Sequence, residues 1–404
     1  MRPSDPVLID PASAVGGLET AAPPDPGRVR FPALEGLRGL AAVSIVAYHA
    51  AIDTKAILSS AAGAALARLD VGVAVFFVLS GFLLYRPFVV AHLAGRSFPR
   101  LTPYLRNRFL RIFPAWWLAF GVVTLGLHRI GFFHPVDVFL YVSLLVGYVP
   151  HLFVLNGLYQ SWTLTLEITF YVALPLFAWV VTRRRGDVRT KARAHLAAVV
   201  GAGALGLALR AYAASADPGT GWLIRLPTEM ALFAIGMAFA VSSARSQVIG
   251  NDSLPARTLG RHPAVSWLLA AAAYWWLSYG LGLPVRDTLV PLTTAQEMGR
   301  HVLFGVVALF LVAPAVFGDQ RRGLIRRVLG SRPLSALGLV SYGVYLWHAD
   351  LMRGLLIGPG DPLRHVSSFR YLTVFGATLV LTLAVASVSY FVVEKPALRL
   401  KARS

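Results

Sequence analysis

The sequence predicts an all-α, polytopic membrane protein, a bundle of about ten transmembrane helices with a re-entrant or interfacial segment near 136–155. Three observations predict it. Hydrophobic residues make up 56% of the 404 and charged residues only 14%, a balance far from that of soluble domains. Apolar runs of the about 17 to 25 residues that a spanning helix needs recur along the whole chain. Basic residues gather in short clusters between those runs, as they do where loop charge sets topology. A formal net charge of +19 would point a soluble chain to nucleic acid. Here it points to the bilayer, and no nucleic-acid partner is expected. There is no cysteine, so neither a disulfide nor a cysteine-borne thioester is available, and any thiol chemistry arrives with a substrate.

Taken in order, residues 1–33 are rich in Pro, Ala, Gly and Asp and lack the apolar core of a signal peptide or a span. They read as a disordered cytoplasmic tail. The membrane domain is expected over 34–396, with a basic cytoplasmic tail at 397–404. Its first helix starts at Leu34. Further apolar runs follow at about 71–90, 107–127, 136–155, 161–182, 194–213, 222–242, 264–283, 300–317, 334–357 and 371–394, eleven candidates in all. The dense basic clusters are Arg86 to Arg111, Arg183 to Arg193, Arg321 to Arg332 and Lys395 to Arg403. They share the cytoplasmic side only if 136–155 does not cross. That run is also broken by Gly147, Pro150, His151 and Asn156. Ten spans remain, with both termini cytoplasmic. No Walker-type loop, internal repeat or inverted pair of broken helices is present, so ATP-driven transport has no support.

The first helix places Arg38 and His49 in apolar surroundings. Eleven residues at about 100° each make about three whole turns, so both groups share one face about 16 Å apart along the axis. Such a face belongs toward the protein or a wet cavity, not toward lipid; the alternative is a buried arginine paired with Glu35 and a histidine at the interface. On the ten-span topology Glu167 and His348 come to a depth similar to that of His49. A histidine close to a carboxylate can take a proton from a hydroxyl, because the acid orients the ring and stabilises the imidazolium. For His348, in SYGVYLWH, a place in the interfacial aromatic belt is the competing reading. In RNRFLRIFPAWW, Arg108 and Arg111 stand at i, i+3 and project from one face of a helix start, where guanidinium forks suit phosphates. A cytoplasmic flank carrying topology charge shows the same pattern.

The segments RGLAAVSIVAYH, GVAVFFVLSGFLL, RNRFLRIFPAWW, SWTLTLEITFYVALPL and SYGVYLWH, in this order, resemble the membrane-bound acyltransferase-3 family over about residues 33 to 396. Arg38 and His49 match the family's Arg, ten intervening residues and His; Arg108 and Arg111 match its Arg-x-x-Arg; Trp162 to Glu167 match its Trp-Ser-Leu-x-Glu-type segment. Where many members carry a second acidic residue, this chain has Ile168. The resemblance implies transfer of a short acyl group, often acetyl, from acyl-CoA to a hydroxyl of a carbohydrate or other small acceptor. Many members carry a C-terminal hydrolase-like domain, and none is expected here.

The combined expectation is an O-acyltransferase of the bacterial cytoplasmic membrane. Acyl-CoA, with acetyl-CoA the expected form, docks on Arg108, Arg111 and Arg38. His49 is the general base, with Glu167 its orienter or acid partner, and Trp162 and His348 contact substrate. No metal is called for. The alternative is a secondary transporter of an anionic or acylated small molecule, weakened by the scarcity of other intramembrane acids.

Overall fold

Every regular element among the described residues of the computed structural model is helical. These residues are 31–127, 134–149, 158, 160–216, 221–251, 253–285, 292–320, 322–357 and 368–401. Residues 1–30 of the tail expected at 1–33 and the last three residues lie outside them. The longer helices are α1 (Pro32–Asp53), α2 (Val71–Leu93), α3 (Leu101–Gly121), α4 (Pro135–Val142), α5 (Ser161–Thr182), α6 (Val188–Ala216), α7 (Leu226–Ile249), α8 (Pro263–Trp275), α9 (Thr294–Val316), α10 (Arg332–Leu351) and α11 (Ser368–Ser389), with shorter helices between some of them. Four of these end in π-helical turns: α3 at Val122–Gly126, α8 at Trp276–Gly280, α10 at Met352–Ile357 and α11 at Tyr390–Glu394.

Seven helical stretches are long and apolar enough to cross a membrane: Gly63–Leu93, Leu101–Gly126, Ser161–Thr182, Val188–Ala216, Leu226–Ile249, Thr294–Val316 and Arg370–Arg399. Of the expected spans, α1, α8 and α10 stand outside that set. Two of these carry the polar groups of interest, Arg38 and His49 on α1 and His348 and Asp350 on α10, and α8 is rich in Trp and Tyr. Length and composition therefore establish seven. The side chains that the bundle leaves exposed are largely apolar, among them Val172 and Leu176 on α5, Leu268 on α8 and Val380 on α11, a surface matched to hydrocarbon. In the 136–155 stretch, α4 has eight residues, about 12 Å of helix and too short to span, and a 3-10 turn follows at Val146–Tyr148. Residues 150–155 lie outside the described residues.

The helix pairs that matter most meet through missing side chains. A Cβ at Gly36 would overlap the Leu329 carbonyl, one at Gly39 would crowd Leu337 and the Gly338 backbone, and one at Gly338 would overlap the Glu35 carbonyl. Helices α1 and α10 therefore come together at backbone contact, the small-residue packing that drives association where lipid removes the hydrophobic incentive. Gly39 lies ten residues before His49, and Gly338 ten before His348. Two helices in contact at the glycines and running in the same direction must bring the histidines to the same level. Helices α2 and α7 use the same device in antiparallel sense, Gly81 against the Phe233 carbonyl and Gly236 against that of Val78.

Candidate functional site

Among the described residues, the α1 polar face touches two cavities. The first, of about 270 Å³, is lined by Arg38, Arg108 and Arg111, with Glu35 and Glu167 as its acids. Three guanidinium groups against two carboxylates leave it cationic. Arg38 lies 4.0 Å from Glu35, the Arg108 guanidinium stands 5.9 Å from both the Tyr104 and the Tyr171 ring, and Ser80 donates to Glu167 Oε1 at 2.7 Å. The Arg108 Nε is buried with no hydrogen-bond partner among the described residues. Beyond α11, the Lys401 amine is pushed down to about 8, first by burial and then by the positive fields of Arg111, Arg108 and Arg38.

The second cavity, of about 490 Å³, is lined by His49, Trp162, Gln160 and a set of buried charges. Val73 and Tyr345 line both cavities and form the wall between them. The Tyr345 hydroxyl is held at 2.6 Å from Thr163 Oγ1 and donates to the Gln160 carbonyl at 3.0 Å.

The His49 ring is fixed from behind. Its Nδ1 is 2.7 Å from His348 Nε2, and His348 Nδ1 is 2.7 Å from the Tyr345 carbonyl. A carbonyl only accepts, so His348 carries its proton on Nδ1 and its Nε2 accepts. His49 then donates from Nδ1 and holds its basic lone pair on Nε2. That is the tautomer a general base needs, set by hydrogen bonds alone. One turn further out the same helices are tied by Asp53, which takes two bonds from Arg353 at 2.7 and 2.8 Å.

These positions revise two expectations. Glu167 does not meet His49; it faces the arginine cavity and Ser80. Depth along α5 was legible, but Trp162 and Glu167, five residues apart, fall on different sides of the Tyr345 wall. His348, expected to contact substrate or to sit in the aromatic belt, lines neither of these two cavities and is fully buried. It, rather than Glu167, is hydrogen-bonded to the His49 ring.

A buried ion network in the second cavity was missed. Arg210 on α6 bridges Glu229 on α7 at 2.9 Å and Glu297 on α9 at 2.5 Å; Arg300 reaches Asp70 at 2.5 Å, and His301 Nδ1 lies 3.8 Å from Glu229. Asp70 and Glu297 sit just outside apolar runs and read as loop charges, so intramembrane acids looked scarcer than they are, although Glu229 lies inside the 222–242 run. Arg210, inside the 194–213 run, was the available signal. Removing one partner of such a network costs about 3 to 5 kcal/mol. Among the described residues, no three His, Cys, Asp or Glu groups stand together to hold a metal ion.

A multi-pass helical bundle that sets a cationic cavity and an oriented imidazole on either side of one wall has the constitution of a membrane-bound group-transfer enzyme. The chain belongs to the acyltransferase-3 family, whose model, described as an acyltransferase domain, matches residues 31–391. It is thus a membrane-embedded acyltransferase. Acyltransferase MdmB of Streptomyces mycarofaciens is 29% identical over 414 residues, covering 94% of each chain. Nodulation protein 10 of Rhizobium leguminosarum bv. viciae is 25% identical over 353 residues, 82% of each. Peptidoglycan O-acetyltransferase OatA of Listeria monocytogenes is 24% identical over 393 residues, 91% of this chain and 56% of that relative. No solved structure matches the chain.

Proposed function

We propose that this protein transfers a short acyl group, acetyl in the first instance, from acyl-CoA to a hydroxyl of a carbohydrate or other small acceptor. The single observation that carries the reading is the hydrogen-bonded order His49, His348, Tyr345 carbonyl, which leaves the basic Nε2 on a ring beside the wall of a cationic cavity. The family membership and a peptidoglycan O-acetyltransferase among the relatives support the reaction class.

In this mechanism the CoA phosphates meet Arg108, Arg111 and Arg38, and the pantetheine arm runs along the α1 face past Val73 and Tyr345. The about 16 Å between Arg38 and His49 is spanned by that arm. His49 Nε2 takes the acceptor's proton as its oxygen attacks the thioester carbonyl, and His348 stabilises the imidazolium through the Nδ1 bond. The tetrahedral intermediate expels the CoA thiolate, which recovers the proton from His49. Acceptor ester and free CoA leave, and protons balance. Ten spans and both termini on the cytoplasmic side of a bacterial cytoplasmic membrane suit this direction of donor entry, because the basic clusters then share one side.

The test is purified protein in detergent with acyl-labelled acetyl-CoA and a pool of glycans. Free CoA together with a labelled, alkali-sensitive ester is the expected result. With the same protein reconstituted into vesicles, movement of label into them without release of CoA would instead mark a transporter.

A further inference from the structure

The cavity beside His49 holds more hydrogen-bonding capacity than proton transfer at one ring uses. Each arginine of its ion network binds carboxylates through terminal nitrogens, yet Arg210 Nε and Arg300 Nε are buried with no partner among the described residues. On the accepting side, Asp70 Oδ1 and Gln160 Oε1 are in the same state, and His301 Nε2 joins them. All five atoms belong to residues that line this one cavity. The side chains are not loose surface groups: Gln160, Arg210 and His301 are at least nine-tenths buried.

The chemistry of these atoms selects the ligand. Two are fixed donors and two fixed acceptors. An ammonium could serve only the acceptors, and a carboxylate or phosphate only the donors, whereas a hydroxyl serves either. Among the residues that line the cavity the fixed charges balance, Arg210 and Arg300 against Asp70 and Glu229, and are paired as Arg210 with Glu229 and Arg300 with Asp70. A charged ligand would have to break a buried pair and strand its partner. Trp162 lines the same space and offers a flat face on which the C–H side of a ring can pack. The cavity also falls in the size range of small-ligand sites.

We infer that this cavity is the acceptor subsite and that it takes an uncharged ring bearing several hydroxyls, a neutral sugar. Arg210, Arg300, Asp70 and Gln160 bind the hydroxyls that do not react, while one hydroxyl is left to His49. The inference rests on the acyl-transfer reading of the same site and adds to it the acceptor's charge class and the residues that select it. Selection by bound hydroxyls is strong, because a rejected analogue leaves buried polar groups unpaired.

The experiment supplies purified protein with labelled acetyl-CoA and, separately, methyl glucoside, methyl glucuronide and methyl glucosaminide, scoring alkali-sensitive ester. The neutral glycoside should be used with a kcat/KM about tenfold or more above either charged one. Gln160→Leu, which removes an acceptor but no charge, and Arg300→Lys, which keeps charge but removes Nε, should each raise the glycoside KM about tenfold with acetyl-CoA affinity by equilibrium dialysis unchanged. Gln160→Leu keeps the test decisive if Arg300→Lys folds poorly. Equal or better use of a charged glycoside overturns the inference, as does an unchanged glycoside KM in Gln160→Leu; both leave acyl transfer standing. Absence of CoA release with every glycoside and with the glycan pool overturns acyl transfer and this inference together.

Discussion

Replacing His348 tests the mechanism where it is most exposed. His348 contributes two bonds, each of 2.7 Å, one accepted at Nε2 from His49 and one donated from Nδ1 to the Tyr345 carbonyl. Gln and Asn divide them. A Gln places its carbonyl oxygen about where Nε2 stood and can still accept from His49, whereas an Asn reaches only about as far as Nδ1 and can satisfy Tyr345 alone. His348→Ala and His348→Asn should lower kcat by about 10² to 10⁴, the range for a base left in the wrong tautomer or orientation. His348→Gln should keep activity within about tenfold to 100-fold of wild type. Stability should differ little between Gln and Asn, because the Tyr345 carbonyl lies within α10 and keeps its helical bond from the Ala349 amide when the His348 Nδ1 bond is lost. Rates come from CoA release in a thiol-coupled assay and stability from thermal unfolding in detergent. Acetyl-CoA affinity should stay unchanged throughout, since His348 touches neither cavity. An Asn variant as active as the Gln variant, or an Ala variant with near-normal kcat, would remove His348 from the orienting role.

Further outcomes follow from the same geometry. His49→Ala and His49→Gln should both lose about 10² to 10⁴ in turnover, measured as ester formation, with donor affinity retained; near-normal turnover of the Gln variant would make the ring structural. Arg108→Ala with Arg111→Ala should weaken acetyl-CoA binding by about 1.5 to 3 kcal/mol per lost charge-assisted bond, read by equilibrium dialysis, and Lys at both positions should restore only part of it. Lys401 is charged below about 8 and neutral above, so its contribution to donor binding is present at lower pH and lost as pH rises through that value. The acetyl-CoA Kd should rise across that window, and Lys401→Gln should flatten the rise. Gly338→Val places side-chain atoms against the Glu35 carbonyl, so overpacking of about 1 to 3 kcal/mol should lower the Tm, and activity should fall with His49 unsubstituted.

Single helices were legible in the sequence, and distances between helices were not. Periodicity put Arg38 and His49 on one face of α1, and local spacing put Arg108 and Arg111 together; those four residues now line the two cavities. Pairing across helices failed where it relied on depth. Glu167 and His348 both come to about the right height for His49, yet azimuth and the glycine contact decide that His348 meets it. The information was present in Gly39 and Gly338, each ten residues before its histidine, but it becomes readable only once those helices are known to be neighbours. The ion network was hidden for another reason: two of its acids, Asp70 and Glu297, lie at the edges of apolar runs, where a buried carboxylate and a loop carboxylate look alike. Charge counting likewise pointed to ten spans, while length and apolarity secure seven; two of the three left out, α1 and α10, carry the polar residues of the site, which lower their hydropathy.

The two imidazoles stand 299 residues apart in the chain, on the first long helix and the last but one. During synthesis the amino-terminal partner reaches the bilayer early and must wait for nearly the whole polypeptide before its base acquires an orienting neighbour. At elongation rates of about 5 to 20 residues per second that interval is on the order of 15 to 60 seconds. Throughout it, the early helix has two glycines and a polar stripe where its mate will lie. A nascent chain arrested before α10 therefore carries the arginines of the donor cavity and His49 itself but no assembled base, so catalytic competence is conferred near the end of biogenesis rather than accumulating along the way.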